Sequence, residues 1–114
     1  MAQSSPAIIK TSTEQTRGTI YTTSTGLQFV CGGSHPSDSG DFYTMLHLGG
    51  GNTHALISEA WSGTEPVLAT VDGTRVRPKT PSDATDCGYL IPDVNRTEPY
   101  AEGDMVGIYF RGIR

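Results

Sequence analysis

The sequence predicts a mainly β fold: a small antiparallel β-barrel or sandwich-like domain with an extended N-terminal arm and at most one short helix. Only 35% of the 114 residues are hydrophobic, and the chain contains 14 glycines and 7 prolines. Glycine and proline at this frequency interrupt helices and mark turns. Between these turns lie short runs that alternate apolar and polar residues, as half-buried strands do. A chain of this length forms one domain with one modest core.

The N-terminal segment, residues 1–20, is predicted to be an extended arm, and residues 21–114 a single β-rich domain. Serine and threonine dominate the arm, which has few apolar groups to bury. Such a segment is disordered alone and can order as an added strand on a partner surface. The residues predicted to make that contact are Ile8, Ile9, Lys10, Thr11 and Thr13.

Several short runs in the body are predicted to be strands. The strongest is FYTMLHL, in which both faces carry apolar side chains, as expected for a central or covered strand. The others are bounded by glycine, proline, serine or aspartate, which favour turns. The predicted strands cover residues 18–23, 27–31, 42–48, 87–91 and 105–110.

One short helix is predicted, over residues 53–61, THALISEAW. Thr53 is of a residue type that caps helices, and Ala55, Glu59 and Ala60 are compatible with a helix interior. The glycine- and serine-rich residues 31–41 are predicted to be a loop.

The stretch EPVLATVDGTRVRP, residues 65–78, predicts a β-hairpin. An Asp-Gly pair between two alternating runs favours a two-residue type I′ turn, here at Asp72-Gly73. Opposed residues then share a face, which gives one apolar face (Val67, Ala69, Val71, Val76 and Pro78) and one polar face (Leu68, Thr70, Arg75 and Arg77). The cations on and after the hairpin are interpreted as a contact with an acidic neighbouring subunit. The predicted subunit-contact residues are Arg75, Arg77, Lys79 and Trp61.

Charge argues against nucleic acid as a partner. The net charge is −4 and the sequence pI is near 5.1, whereas non-specific nucleic-acid binding needs a basic surface to displace phosphate counterions. No N-terminal apolar run is long enough for a secretion signal or a membrane span. Synthesis in the cytoplasm, without a membrane partner, is therefore expected.

No catalytic, metal or cofactor site is predicted. Five histidine and aspartate residues fall within twenty positions, but they lack the paired ligand spacing of a zinc site and the acidic alternation of a calcium loop. These residues are His35, Asp38, Asp41, His47 and His54. The chain has no Gly-x-Ser-x-Gly nucleophile elbow and no phosphate-binding loop. Two cysteines, Cys31 and Cys87, can either pair or remain free thiols.

Three segments of the second half, PVLATVDGTRVRP, ATDCGYLIPDV and YAEGDMVGIYFRG, resemble bacteriophage head decoration proteins of the lambda D type. The resemblance covers residues 65–114. It matches the hairpin, a middle strand at residues 88–91 and a closing strand at residues 104–112. The segment CGGSHPSDSGDFYTMLHLGGGNTH has no counterpart in it.

The resemblance implies a structural, non-enzymatic capsid decoration or cement protein on the exterior of the virion. Its expected partners are the major capsid protein, whose sheet the arm would extend, and further copies of itself in a homotrimer. It implies no cofactor. The alternative is a glycan- or receptor-binding module of a phage tail fibre or spike, with a site formed by Trp61 and the loops at residues 32–41 and 49–54.

Overall fold

The structure is a computed structural model that describes residues 6–48 and 51–112 of the chain. All regular secondary structure in these residues is β-strand, arranged in two antiparallel sheets. The predicted mainly β fold is confirmed. None of the described residues belongs to a helix with the length and apolar character needed to cross a membrane.

The first sheet has four strands in the order β1-β4-β3-β2, and the second has five in the order β5-β9-β8-β6-β7. The first sheet comprises β1 (Pro6–Thr11), β2 (Ile20–Thr22), β3 (Gln28–Pro36) and β4 (Phe42–His47). The second comprises β5 (Gly51–Leu56), β6 (Val67–Asp72), β7 (Arg75–Pro78), β8 (Gly88–Ile91) and β9 (Met105–Phe110).

The five-stranded sheet curls, so that the end of β5 at one edge meets β7 at the other edge. Ile57, directly after β5, forms a parallel bridge with Val76 of β7, and the Ser58 N–H donates to the Val76 carbonyl at 2.8 Å. Alternate residues of each strand point into the curled sheet and form the core. The largest fully buried side chains there include Phe110, Ile57, Leu90, Ile108, Val76 and Val106.

Gly18 and Ile20 join the two sheets. The Gly18 N–H donates to the Cys31 carbonyl at 2.8 Å, and the Gly18 carbonyl accepts from the Leu56 N–H at 2.9 Å. The Ile20 N–H donates to the Thr74 carbonyl at 2.8 Å, and the Ile20 side chain is buried in the shared core. The segment just before β2 therefore belongs to the folded body.

This finding corrects the prediction of a separate arm over residues 1–20. Within the described part, β1 pairs with β4 along its whole length, with Ile8 opposite Met45 and Ile9 opposite Thr44. β4 supplies a pairing edge within the chain, so β1 forms a strand without a second protein. Residues 1–5 of the predicted arm lie outside the described residues.

The helix predicted over residues 53–61 is wrong. β5 pairs with β9, with Thr53 opposite Ile108 and Ala55 opposite Val106. Ala55 and Ile57 are fully buried, whereas His54 is exposed. This burial follows the period of two that a strand requires, and the pairing with β9 overrides the weak local preference for a helix.

The loop predicted over residues 31–41 is shorter than expected, because β3 continues to Pro36. The pairing of β3 with β4 shifts register between Cys31 and Gly33, and Gly33 has a φ of +106°. A β-bulge of this kind accommodates glycine inside a strand. Composition alone therefore predicts a shorter strand than β3.

The hairpin at residues 65–78 is confirmed, but its turn lies one residue later than predicted. Asp72 pairs with Arg75 and Val71 with Val76, so the turn residues are Gly73 and Thr74. Gly73 has a φ of +64°, and no described residue other than glycine has positive φ, which fits a type II′ turn with glycine first. The pairing slips by two positions, so each residue keeps its predicted face.

Candidate functional site

The open edge of β1 is the first candidate interaction surface. Among the described strands, β1 pairs only with β4, and its Ile8 is 68% exposed. The register places Ile8 opposite Met45, so the two side chains share the outer face with Tyr43. We call Ile8, Tyr43 and Met45 the β1 patch. An unpaired strand edge beside exposed apolar side chains can accept a strand from another chain.

A shallow hollow of about 280 Å³ lies within the β1 patch, and Gly32, Gly33, Ser34 and His35 complete its lining. A Cβ on Gly32 would lie 2.9 Å from the Met45 sulfur, so glycine keeps this part of the sheet face open. Lys10 faces the same side of β1 as Ile8 and is exposed. Lys10 makes no ion pair within the described part of the chain, so the patch has a cationic rim.

The remaining predicted arm residues support the fold. Thr11 Oγ1 is 2.7 Å from Thr44 Oγ1, which in turn is 2.6 Å from Ser34 Oγ. Thr11 also donates to the Thr13 carbonyl at 2.8 Å. Ile9 lies opposite Thr44, on the inner side of β1. Of the predicted residues within β1, Ile8 and Lys10 therefore point outward, and Thr13, after the strand, is also exposed.

Of the three predicted contact cations on and just after β7, Arg77 is neutralised within the chain. Arg77 donates to both carboxylate oxygens of Asp83, at 2.8 and 2.7 Å, and its Nε is 3.6 Å from Asp72 Oδ2. Arg75 and Lys79, by contrast, make no ion pair with any described residue. Two of the three predicted cations thus remain open for a subunit contact, while Arg77 is engaged in its own hairpin.

The Arg77–Asp83 pair predicts a specific acid sensitivity. Hydrogen bonding to Arg77 and to the Thr80 N–H holds the pKa of Asp83 well below its ordinary value. Because the folded-state pKa is depressed, the carboxylate's contribution to stability is complete above the unfolded-state pKa of about 4 and is lost as the pH falls below it. We expect Asp83→Asn to unfold at a denaturant midpoint that changes less with pH between about 2 and 5 than that of the wild type.

The matched control for this prediction is Asp38→Asn, in the exposed turn after β3. This variant should keep the pH dependence of the wild type. Equal slopes for the wild type and Asp83→Asn would contradict the role assigned to the ion pair.

Trp61 lies apart from these cations, in a groove of about 340 Å³. Its main chain forms a bridge with Tyr100, and the two rings stack with centroids 5.7 Å apart and planes 20° apart. The Arg96 guanidinium carbon lies 4.1 Å from the centroid of the Tyr100 ring, and Arg96 Nη2 donates to Asp104 at 2.8 Å. We call this cavity the Trp61 groove.

A second cavity, of about 330 Å³, adjoins the Trp61 groove and is lined by residues 52–54 and Gly107. The two cavities share the residues Pro92, Asp93, Arg96 and Tyr100. The structure thus brings Trp61 near residues 52–54, as the predicted glycan site requires. Residues 32–41 line neither cavity, and residues 49–50 lie outside the described residues. The segment that joins the two cavities was not identified from the sequence.

The cysteines do not form a nucleophilic site. Cys31 and Cys87 are buried free thiols. Burial raises the pKa of Cys31, and burial reinforced by the Asp86 carboxylate raises that of Cys87 to about 12. Neither side chain forms the thiolate needed for nucleophilic attack at neutral pH. The described residues also include no cluster of three or more histidine, cysteine, aspartate or glutamate side chains placed to hold a metal ion.

The two candidate sites are thus the β1 patch with its open edge and the Trp61 groove. Comparison with known proteins gives no match to a family model, a curated protein or a solved structure.

Proposed function

We propose that the chain is a structural subunit that decorates the outer surface of a bacteriophage head and stabilises the shell by adhesion. The observation that carries this proposal is the open edge of β1 beside the 68% exposed Ile8. A strand of the major capsid protein that adds to this edge gains main-chain hydrogen bonds, and the β1 patch buries apolar surface against it.

The position of β1 modifies the mechanism implied by the resemblance. β1 is part of the chain's own four-stranded sheet, so the sheet continues outward from this chain into the coat protein. Because β1 is already ordered within this sheet, adding a coat-protein strand to its edge costs less conformational entropy than ordering a disordered arm would.

A homotrimer is part of the proposal. Three copies around a three-fold axis of the shell would present three β1 edges, and the linked contacts would bind far more tightly than one. Support for this part comes from the resemblance of residues 65–114. Arg75 and Lys79, which make no ion pair among the described residues, are available for the contact between acidic subunits.

The test is cosedimentation of the purified protein with phage heads that lack it. Ile8→Asp places a charge in the β1 patch and should weaken binding about tenfold or more. Because Ile8 is largely exposed, this substitution should leave the free energy of unfolding within about 0.5 kcal/mol of the wild type. Leu27→Asp is the matched control, since Leu27 is 58% exposed outside the β1 patch.

We expect Leu27→Asp to bind heads as the wild type does. The proposal fails if Ile8→Asp binds them as tightly as Leu27→Asp.

A further inference from the structure

We infer that the Trp61 groove and the cavity adjoining it form a binding site for a neutral oligosaccharide. This site is distinct from the β1 patch, and the inference does not depend on the proposed adhesive function. It rests on the shape of the groove, the fixed positions of its polar groups and the balance of charge around it.

The shape is that of a ligand site. Cavities of about 340 and 330 Å³ that share lining residues reach the size range of ligand pockets, about 300 to 1,000 Å³. Gly107 lines the second cavity from the interior of β9, between His54 on β5 and Ile91 on β8. A Cβ on Gly107 would lie 2.9 Å from the Ile91 carbonyl oxygen, so the close approach of β8 favours glycine here, and its missing side chain leaves the cavity wall open.

Trp61, which lines the first of the two cavities, is held rigidly. Its ring stacks on Tyr100, and a Cβ on Gly63 would lie 2.3 Å from an indole carbon, so main chain packs directly against the ring. The indole N–H has no hydrogen-bond acceptor among the described residues. The groove therefore presents a fixed aromatic side chain with a donor still available.

Arg96 supplies a second fixed donor and lines both cavities. Its Nη2 donates to Asp104 at 2.8 Å and to the Pro99 carbonyl at 3.2 Å, and its Nε donates to the Glu98 carbonyl at 3.0 Å. These contacts fix the Arg96 side chain against Glu98, Pro99 and Asp104. They leave Nη1 without an acceptor in the described part of the chain. A donor immobilised before binding loses little entropy when a ligand accepts from it.

The balance of charge selects the class of ligand. Asp104 neutralises Arg96, so the exposed carboxylates of Asp93 and Glu98 make the groove acidic and disfavour an anionic ligand. Carboxylates accept hydrogen bonds from sugar hydroxyls, and the C–H groups of a sugar's apolar face pack against exposed aromatic surface. A proline-rich peptide also suits aromatic grooves, but its proline residues have no N–H to donate to these acceptors.

The test uses the single tryptophan of the chain, whose indole N–H gives one isolated signal in a ¹H–¹⁵N NMR spectrum. We expect malto-, cello- or chito-oligosaccharides to shift this signal saturably, with a Kd of about 1 mM or lower. Sialylated oligosaccharides and a proline-rich peptide are titrated in parallel and should bind more weakly.

Glu98→Ala should weaken binding of the active oligosaccharide about tenfold, because a charge-assisted hydrogen bond is lost. Glu102→Ala removes an exposed carboxylate that lines neither cavity and should bind as the wild type does. The inference is overturned if no neutral oligosaccharide moves the signal, if the sialylated sugars or the peptide bind more tightly, or if Glu98→Ala binds unchanged. Neither substitution touches the β1 patch, so cosedimentation with heads should be unaffected in both variants.

Discussion

Gly88→Ala is expected to destabilise the domain by about 3 kcal/mol or more, a large part of the stability of a small domain. Gly88 has a φ of +140°, and an added Cβ would lie 1.8 Å from the Tyr109 carbonyl oxygen. The obstacle is main chain of the neighbouring strand β9, which cannot move without breaking its pairing with β8. Backbone strain and steric overlap therefore add. The denaturant midpoint in urea, compared with that of the wild type, measures the effect.

Gly26→Ala separates these two contributions. Gly26 also has positive φ, +88°, but nothing lies within 4 Å of an added Cβ. This exposed substitution should cost about 1 kcal/mol, from backbone strain alone. Equal losses of stability in the two variants would show that the close approach of β8 and β9 is not the cause.

Deletion of residues 1–20 is expected to destabilise the body by about 4 kcal/mol or more. The deletion removes the buried side chain of Ile20 and the main-chain hydrogen bonds through which Gly18 and Ile20 connect the two sheets. It also removes β1, which leaves the edge of β4 unpaired. Loss of capsid binding by this truncation would thus report unfolding rather than loss of a contact.

A shorter deletion, of residues 1–11, is the matched control. It removes β1 but retains Gly18 and Ile20, so it should be clearly less destabilising in the same urea titration. If the protein lacking residues 1–20 unfolds at the wild-type midpoint, the connection between the sheets does not contribute to the stability of the body.

Local alternation made part of the fold predictable from the sequence. The strands at residues 42–48 and 105–110 were placed within one residue of β4 and β9, because each reads as a continuous β-prone run between breakers. In the hairpin, the faces of Val76 and Arg77 were correct although the turn was misplaced. A shift of pairing by two positions preserves every face.

The remaining errors share a physical cause: the deciding contacts join distant parts of the chain. Local sequence predicts an arm at β1 because its partner β4 lies more than thirty residues later in the chain. It predicts a helix at β5 because the pairing of β5 with β9 spans a still longer separation. The Trp61 groove depends on the bridge between Trp61 and Tyr100. Nothing local to Trp61 predicts that Tyr100 and Arg96 meet it.

The measurement that tests the central claim most directly is the mass of the native particle that carries this chain. If the chain decorates a phage head, it sediments with particles that electron microscopy identifies as icosahedral heads, and the Ile8→Asp variant is recovered mainly in the low-mass fraction. If the native chain is found only as a species near its own mass of 12.2 kDa while heads form normally, the decoration function is contradicted.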